Sequence, residues 1–77
     1  MFESFTVEIK DSRILKLGWI PFIKEYQPLE IVQEKVQYAC EMGLLNNAEE
    51  VRIIDKNGKI MYYENIEVMR KAKEIRI

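Results

Sequence analysis

The sequence predicts an α+β domain, with an antiparallel sheet in β-β-α-β-β order and a short C-terminal helix. Three observations predict this class. Phe5, Val7 and Ile9 alternate with polar residues, which is the period of two of a half-buried strand. A stretch with helical periodicity follows, and a hairpin pattern occupies residues 51–63. Strands paired with helices that cover one face of the sheet are typical of α+β domains.

A second strand is expected after the first. Asp11 and Ser12 have the chemistry of a turn, and residues 13–20 then form the returning strand. Pro21 cannot donate to a sheet ladder, so pairing should stop there or move to an edge. Residues 21–27 are therefore expected to be a connection. The side chains of the second strand expected to face the core are Leu15, Leu17 and Trp19.

The helix is expected to run from about Pro28 to Gly43. Pro28 suits the first helical position, because an N–H there would have no partner within the helix. Gly43 suits the left-handed residue that ends a helix. A loop should then run from Leu44 to Glu50, with Leu44 or Leu45 closing an apolar contact beyond the helix end.

This helix carries two apolar stripes, and a surface helix of a small domain needs only one for its core. Ile31, Tyr38 and Met42 form the second stripe, nearly opposite the first. A second subunit, another protein or the terminal helix of the same chain must cover it. We expect a protein partner, with a homodimer as the leading possibility. The first stripe, expected to face the core, contains Leu29, Val32, Val36, Ala39, Cys40 and Gly43.

The hairpin pattern contains an Asn57-Gly58 turn between two strands. A two-residue turn would place Lys56 opposite Lys59, and these like charges repel. A three-residue loop with a left-handed Gly58 avoids this repulsion and is therefore favoured. The favoured loop pairs Asp55 with Lys59, Ile54 with Ile60 and Ile53 with Met61.

A short helix should follow the hairpin, with Asn65 as its cap. Val68, Ala72 and Ile75 follow at spacings of four and three residues, so they would share one face of this helix. These three side chains are the intramolecular candidates for covering the second stripe.

The charge of the chain is unevenly distributed. Residues 1–51 hold five basic and nine acidic side chains, whereas residues 52–77 hold seven and four. Such asymmetry can mark a nucleic-acid-binding arm or a self-complementary surface, and it also arises from ordinary solvated faces. The alternative function is therefore single-stranded nucleic-acid binding by tyrosines beside basic side chains, although the acidic pI of about 5.5 disfavours it. The residues concerned are Lys56, Lys59, Tyr62, Tyr63, Arg70, Lys71, Lys73 and Arg76.

The sequence offers little catalytic chemistry. It contains no histidine, which is the commonest general base and metal ligand. Cys40 lies on the core stripe, where a small buried hydrophobe is expected rather than a reactive thiol. Glu30, Glu34 and Glu41 lie along one side of the helix, and we expect a solvated face there rather than a cation site. We expect no enzymatic activity, cofactor, metal or small-molecule substrate.

A second surface candidate surrounds Pro21. Trp19, Phe22 and Tyr26 lie near this proline, where they could form a partner pocket or plug the end of the core. The 77 residues are expected to form one domain, 1–77, which acts as a small protein-interaction module. A single cysteine, the absence of a long apolar run and an acidic start of the chain predict a cytoplasmic protein without membrane association.

Overall fold

The computed structural model describes residues 3–11, 18–45 and 48–68. It contains a four-stranded sheet with one long helix, and a short helix begins at Ile66 and is described to Val68. The principal elements are β1 (Phe5–Asp11), β2 (Ile20–Glu25), α1 (Leu29–Glu41), β3 (Ala48–Ile54) and β4 (Ile60–Asn65).

The strands lie in the order β2-β1-β3-β4, and each neighbouring pair is antiparallel. The predicted α+β class and the β-β-α-β-β order are therefore confirmed. The first and third strands in the chain form the centre of the sheet, and β2 and β4 form its edges. Within the described residues, no helix is long and apolar enough to cross a membrane.

The core lies between α1 and one face of the sheet. Phe5 and Val7 of β1 are buried, which confirms the period of two predicted for this strand. Val51 and Ile53 alternate in the same way in β3 and are fully buried. The buried apolar side chains of the core are Phe5, Val7, Val32, Val36, Leu45, Ala48, Val51, Ile53 and Ile66.

The prediction for the second strand was wrong in its position. Residues 12–17 lie outside the described residues, and Trp19 precedes the strand, which begins at Ile20 and ends at Glu25. The segment expected to be a connection is therefore the strand. Pro21 is tolerated because β2 is an edge strand, whose outward N–H positions need no partner in the sheet. A shift in register opposite Val7 and Glu8 leaves Phe22 as an extra residue in β2.

The helix is close to its predicted position, with one correction at its start. Pro28 is the residue before the helix rather than its first residue, and its φ and ψ of −55° and 149° are not helical. Its carbonyl accepts hydrogen bonds from the N–H groups of Ile31 and Val32. Gly43 has a φ of 73°, so the predicted left-handed end is confirmed. Leu45, rather than Leu44, makes the buried contact beyond it.

The hairpin has the predicted three-residue loop. The N–H of Asp55 donates to the carbonyl of Lys59, Gly58 has a φ of 82°, and Ile54 lies opposite Ile60. The expected pairing of Ile53 with Met61 was wrong. A bulge in β4 shifts the register by one residue, so that Tyr62 lies opposite Ile53 instead.

The ends of the β3–β4 hairpin also extend beyond their predicted limits. β3 begins at Ala48, so the loop expected to run to Glu50 is shorter. β4 continues to Asn65, whose Oδ1 accepts a hydrogen bond from the N–H of Val68 at 3.1 Å. This bond confirms that Asn65 caps a helix. Ala72 and Ile75 of the predicted helix lie outside the described residues.

Candidate interaction surfaces

The second apolar stripe of α1 lies on the surface of the chain. Ile31 is 38% exposed, and Tyr38 and Met42 are each 59% exposed. The opposite side of the helix carries Val32 and Val36, which are 0% and 5% exposed, so the predicted division into a core stripe and a second stripe is confirmed. We call Ile31, Tyr38 and Met42 the outer face of α1.

Acidic side chains border the outer face on one side. Glu30, Glu34 and Glu41 are exposed and lie along one flank of the helix, and we call them the acidic rim. Among the described residues, none of the three forms an ion pair. On the other flank, the Nζ of Lys35 lies 3.5 Å from a carboxylate oxygen of Glu25. The outer face is therefore apolar at its centre and negatively charged along one edge.

A groove separates α1 from the edge strand β2. It has a volume of about 190 Å³ and an almost entirely apolar lining that includes Val36 and Ala39 of the helix. Phe22 and Ile23 line it from the strand and are 53% and 47% exposed. The groove could hold about one large apolar side chain, since an apolar cavity of roughly 150 Å³ accommodates benzene. Its helical wall continues into the outer face, because Ala39 precedes Met42 by three residues.

The three aromatic residues around Pro21 do not form one pocket. Phe22 lines the groove on the helix side of the sheet, whereas Trp19 packs on the opposite side. Tyr26 is exposed in the connection to the helix, with the Nζ of Lys24 at 5.6 Å from its ring centre. Sequence reasoning grouped them because it placed Pro21 at a strand end. In the structure Pro21 lies inside β2, and the bulge residue Phe22 lies on the helix side, whereas Trp19 precedes the strand and Tyr26 follows it.

Trp19 belongs to a cluster on the sheet face that α1 does not cover. The guanidinium of Arg52 lies 4.2 Å from its ring centre, and the ring of Tyr63 meets it edge to face at 6.4 Å. The Nε of Arg52 also contacts Glu8 at 2.7 Å. The nearby pair of Lys10 and Glu50 is separated by 3.7 Å. Charged groups of opposite sign thus neutralise one another around the indole ring, which makes the cluster a stabilising contact of the sheet.

The two tyrosines proposed for base stacking lie on opposite faces of β4. Tyr62 lies on the helix side, where its hydroxyl accepts a hydrogen bond from Gln37 at 3.3 Å and donates to Glu64 at 3.0 Å. Burial raises the pKa of Tyr62 above 10.0, although the bond from Gln37 opposes this rise. Tyr63 lies on the other side and donates to Glu50, and this bond raises the pKa of Tyr63.

This arrangement separates the residues of the nucleic-acid alternative. Consecutive strand residues cannot place their rings on one stacking surface, and the hydroxyl of each tyrosine donates to a carboxylate. Lys56 and Lys59 are exposed at the tip of the hairpin. The remaining residues of this alternative, Arg70, Lys71, Lys73 and Arg76, lie outside the described residues.

The side chains considered for reactivity or metal binding are Cys40 and the acidic residues. Cys40 is partly buried and packs against the core, as its stripe predicts. In the part of the chain that the structure describes, no three histidine, cysteine, aspartate or glutamate side chains are grouped so as to hold a metal ion. Comparison with protein-family models, with curated proteins and with solved structures found no match.

Proposed function

We propose that this chain is a small, non-enzymatic protein-interaction module that self-associates through the outer face of α1. One observation carries the proposal. Three large apolar side chains, Ile31, Tyr38 and Met42, are exposed on a helix whose opposite side already provides the core of the domain. Contiguous exposed apolar side chains on a small protein commonly mark a contact with another protein.

The neighbouring groove supports the same proposal. Its apolar wall and the outer face share one side of α1, so a partner on the outer face could also insert a side chain between α1 and β2. A central apolar anchor in a pocket, surrounded by polar residues, is the usual arrangement of an interaction hot spot. The ion pair between Lys35 and Glu25 lies beside this groove and would form part of its polar border.

Substitution of Met42 by lysine tests the proposal. Met42→Lys places a charge within the expected interface, and the domain should stay folded because the side chain is 59% exposed. In equilibrium sedimentation, the wild-type protein should be dimeric at high micromolar concentration and Met42→Lys should be monomeric. The thermal stability of the variant should also become independent of protein concentration.

Ile60→Lys is the matched control. Ile60 is 53% exposed, but it lies on β4 beside the hairpin tip rather than on α1. The control should therefore remain dimeric. The proposal is wrong if both variants dimerise like the wild type. It is also wrong if Met42→Lys unfolds the monomer, because the outer face would then be part of the core.

A further inference from the structure

Resting on the proposed self-association, we propose that the outer face of α1 binds the basic segment 69–77 of a second copy of this chain. Two copies would exchange these segments, so that each helix α1 is covered by its partner. The charges around the outer face, and the charges of this segment in the sequence, favour this occupant over a second helix α1.

The acidic rim disfavours a symmetric contact between two α1 helices. In a twofold pair the same surface of each copy meets itself. With the helices antiparallel, the rim of one copy, with Glu34 and Glu41, would then approach the same rim of the other. Like charges brought together in this way oppose association. The basic side chain on the other flank, Lys35, already pairs with Glu25. A partner of positive charge fits this face better.

The segment 69–77 has the required composition. It contains four basic side chains and one acidic side chain, Glu74. Together with the exposed Val68, the sequence places Ala72 and Ile75 at spacings that would form an apolar stripe on a helix. An apolar stripe flanked by positive charge complements an apolar face with an acidic rim. The basic side chains of the segment are Arg70, Lys71, Lys73 and Arg76.

The proposed self-association makes a second copy, rather than the same chain, the source of this segment. Ile31, Tyr38 and Met42 are 38–59% exposed and are the side chains that the segment would cover. In an exchange between two copies, each copy provides one outer face and one basic segment, so the dimer contains two identical contacts. Such an exchange is a common route to a closed dimer. The exchange would also bring together the two parts of the sequence that carry opposite net charges.

Two charge-reversed variants of the full chain test the inference. The rim variant carries Glu34→Lys and Glu41→Lys, and the segment variant carries Lys73→Glu and Arg76→Glu. Each variant alone would bring like charges together at both contacts. We expect the dissociation constant of each homodimer to rise by about tenfold or more, because the reversed charges act at both contacts of the dimer. In an equimolar mixture, both contacts again join opposite charges, and a mixed dimer should form.

The outcomes separate this inference from the proposed function. Light scattering should show monomers for each variant alone and a species of twice 9.2 kDa for the mixture. If the segment variant alone dimerises as well as the wild type, the segment does not cover α1, and self-association stands without this inference. If each variant loses its dimer and mixing restores nothing, the inference is also wrong. A wild-type monomer at high micromolar concentration would instead overturn the proposed self-association itself.

Discussion

Val36 provides the sharpest test of which side of α1 is structural. The side chain is 5% exposed and contacts the core below the helix. Val36→Ala removes two methyl groups, each contributing about 0.8 kcal/mol through burial. The space left behind adds a further cost, which is limited because Val36 also borders the open groove. We therefore expect the free energy of unfolding to fall by about 1.5–3 kcal/mol.

The expected loss is large for a domain of this size. A core of fewer than about 80 residues typically supplies only about 3–5 kcal/mol. At about 4–8 °C per kcal/mol, Val36→Ala should lower the Tm by about 6–24 °C in thermal unfolding followed by circular dichroism. Ile60→Val is the control, because Ile60 is 53% exposed on β4 and belongs neither to the outer face of α1 nor to the segment 69–77, and its effect should stay within about 0.5 kcal/mol. Equal effects of the two substitutions would refute the assignment of the core stripe.

Two further predictions concern the sheet face opposite α1. Arg52→Met removes the ion pair with Glu8 and the cation over Trp19. It should therefore lower the free energy of unfolding by about 1–2 kcal/mol and shift the fluorescence emission of Trp19. An unchanged emission would contradict the contact between Arg52 and Trp19. The bond to Glu50 raises the pKa of Tyr63 above 10.0. The contribution of this bond to the free energy of unfolding is therefore complete below pH 10 and is lost as the pH rises through the raised pKa. Glu50→Gln should return the Tyr63 titration, followed by NMR of the ring, towards 10.0, and an unchanged titration would argue against the bond.

Much of the fold follows from local patterns in the sequence. The alternation of Phe5 and Val7, the left-handed Gly43 and the three-residue loop ending at Gly58 were all predicted from short-range chemistry. They are confirmed because each depends on side-chain period or on a backbone conformation that only neighbouring residues decide. The position of β2 depends on something else. Whether Pro21 can lie inside a strand depends on that strand being at an edge, and strand order is a property of the whole sheet.

The same distinction applies to the candidate sites. The two stripes of α1 were predictable because helical spacing alone divides Val36 from Met42. The bulge in β4 was not, and it decides the placement of Tyr62 opposite Ile53. The groove was also missed, because it requires Ile23 to lie in an edge strand beside the helix. The apolar pair Phe22 and Ile23 directly after Pro21 was the available signal for such an edge strand.

The mass of the wild-type protein in solution tests the central claim most directly. Multi-angle light scattering, applied to the full chain after size-exclusion chromatography from low to high micromolar loading, measures it without any substitution. The exposed outer face of α1 predicts a rise from 9.2 kDa towards twice that value as the concentration increases. A constant mass of 9.2 kDa over the whole range would contradict self-association through this face.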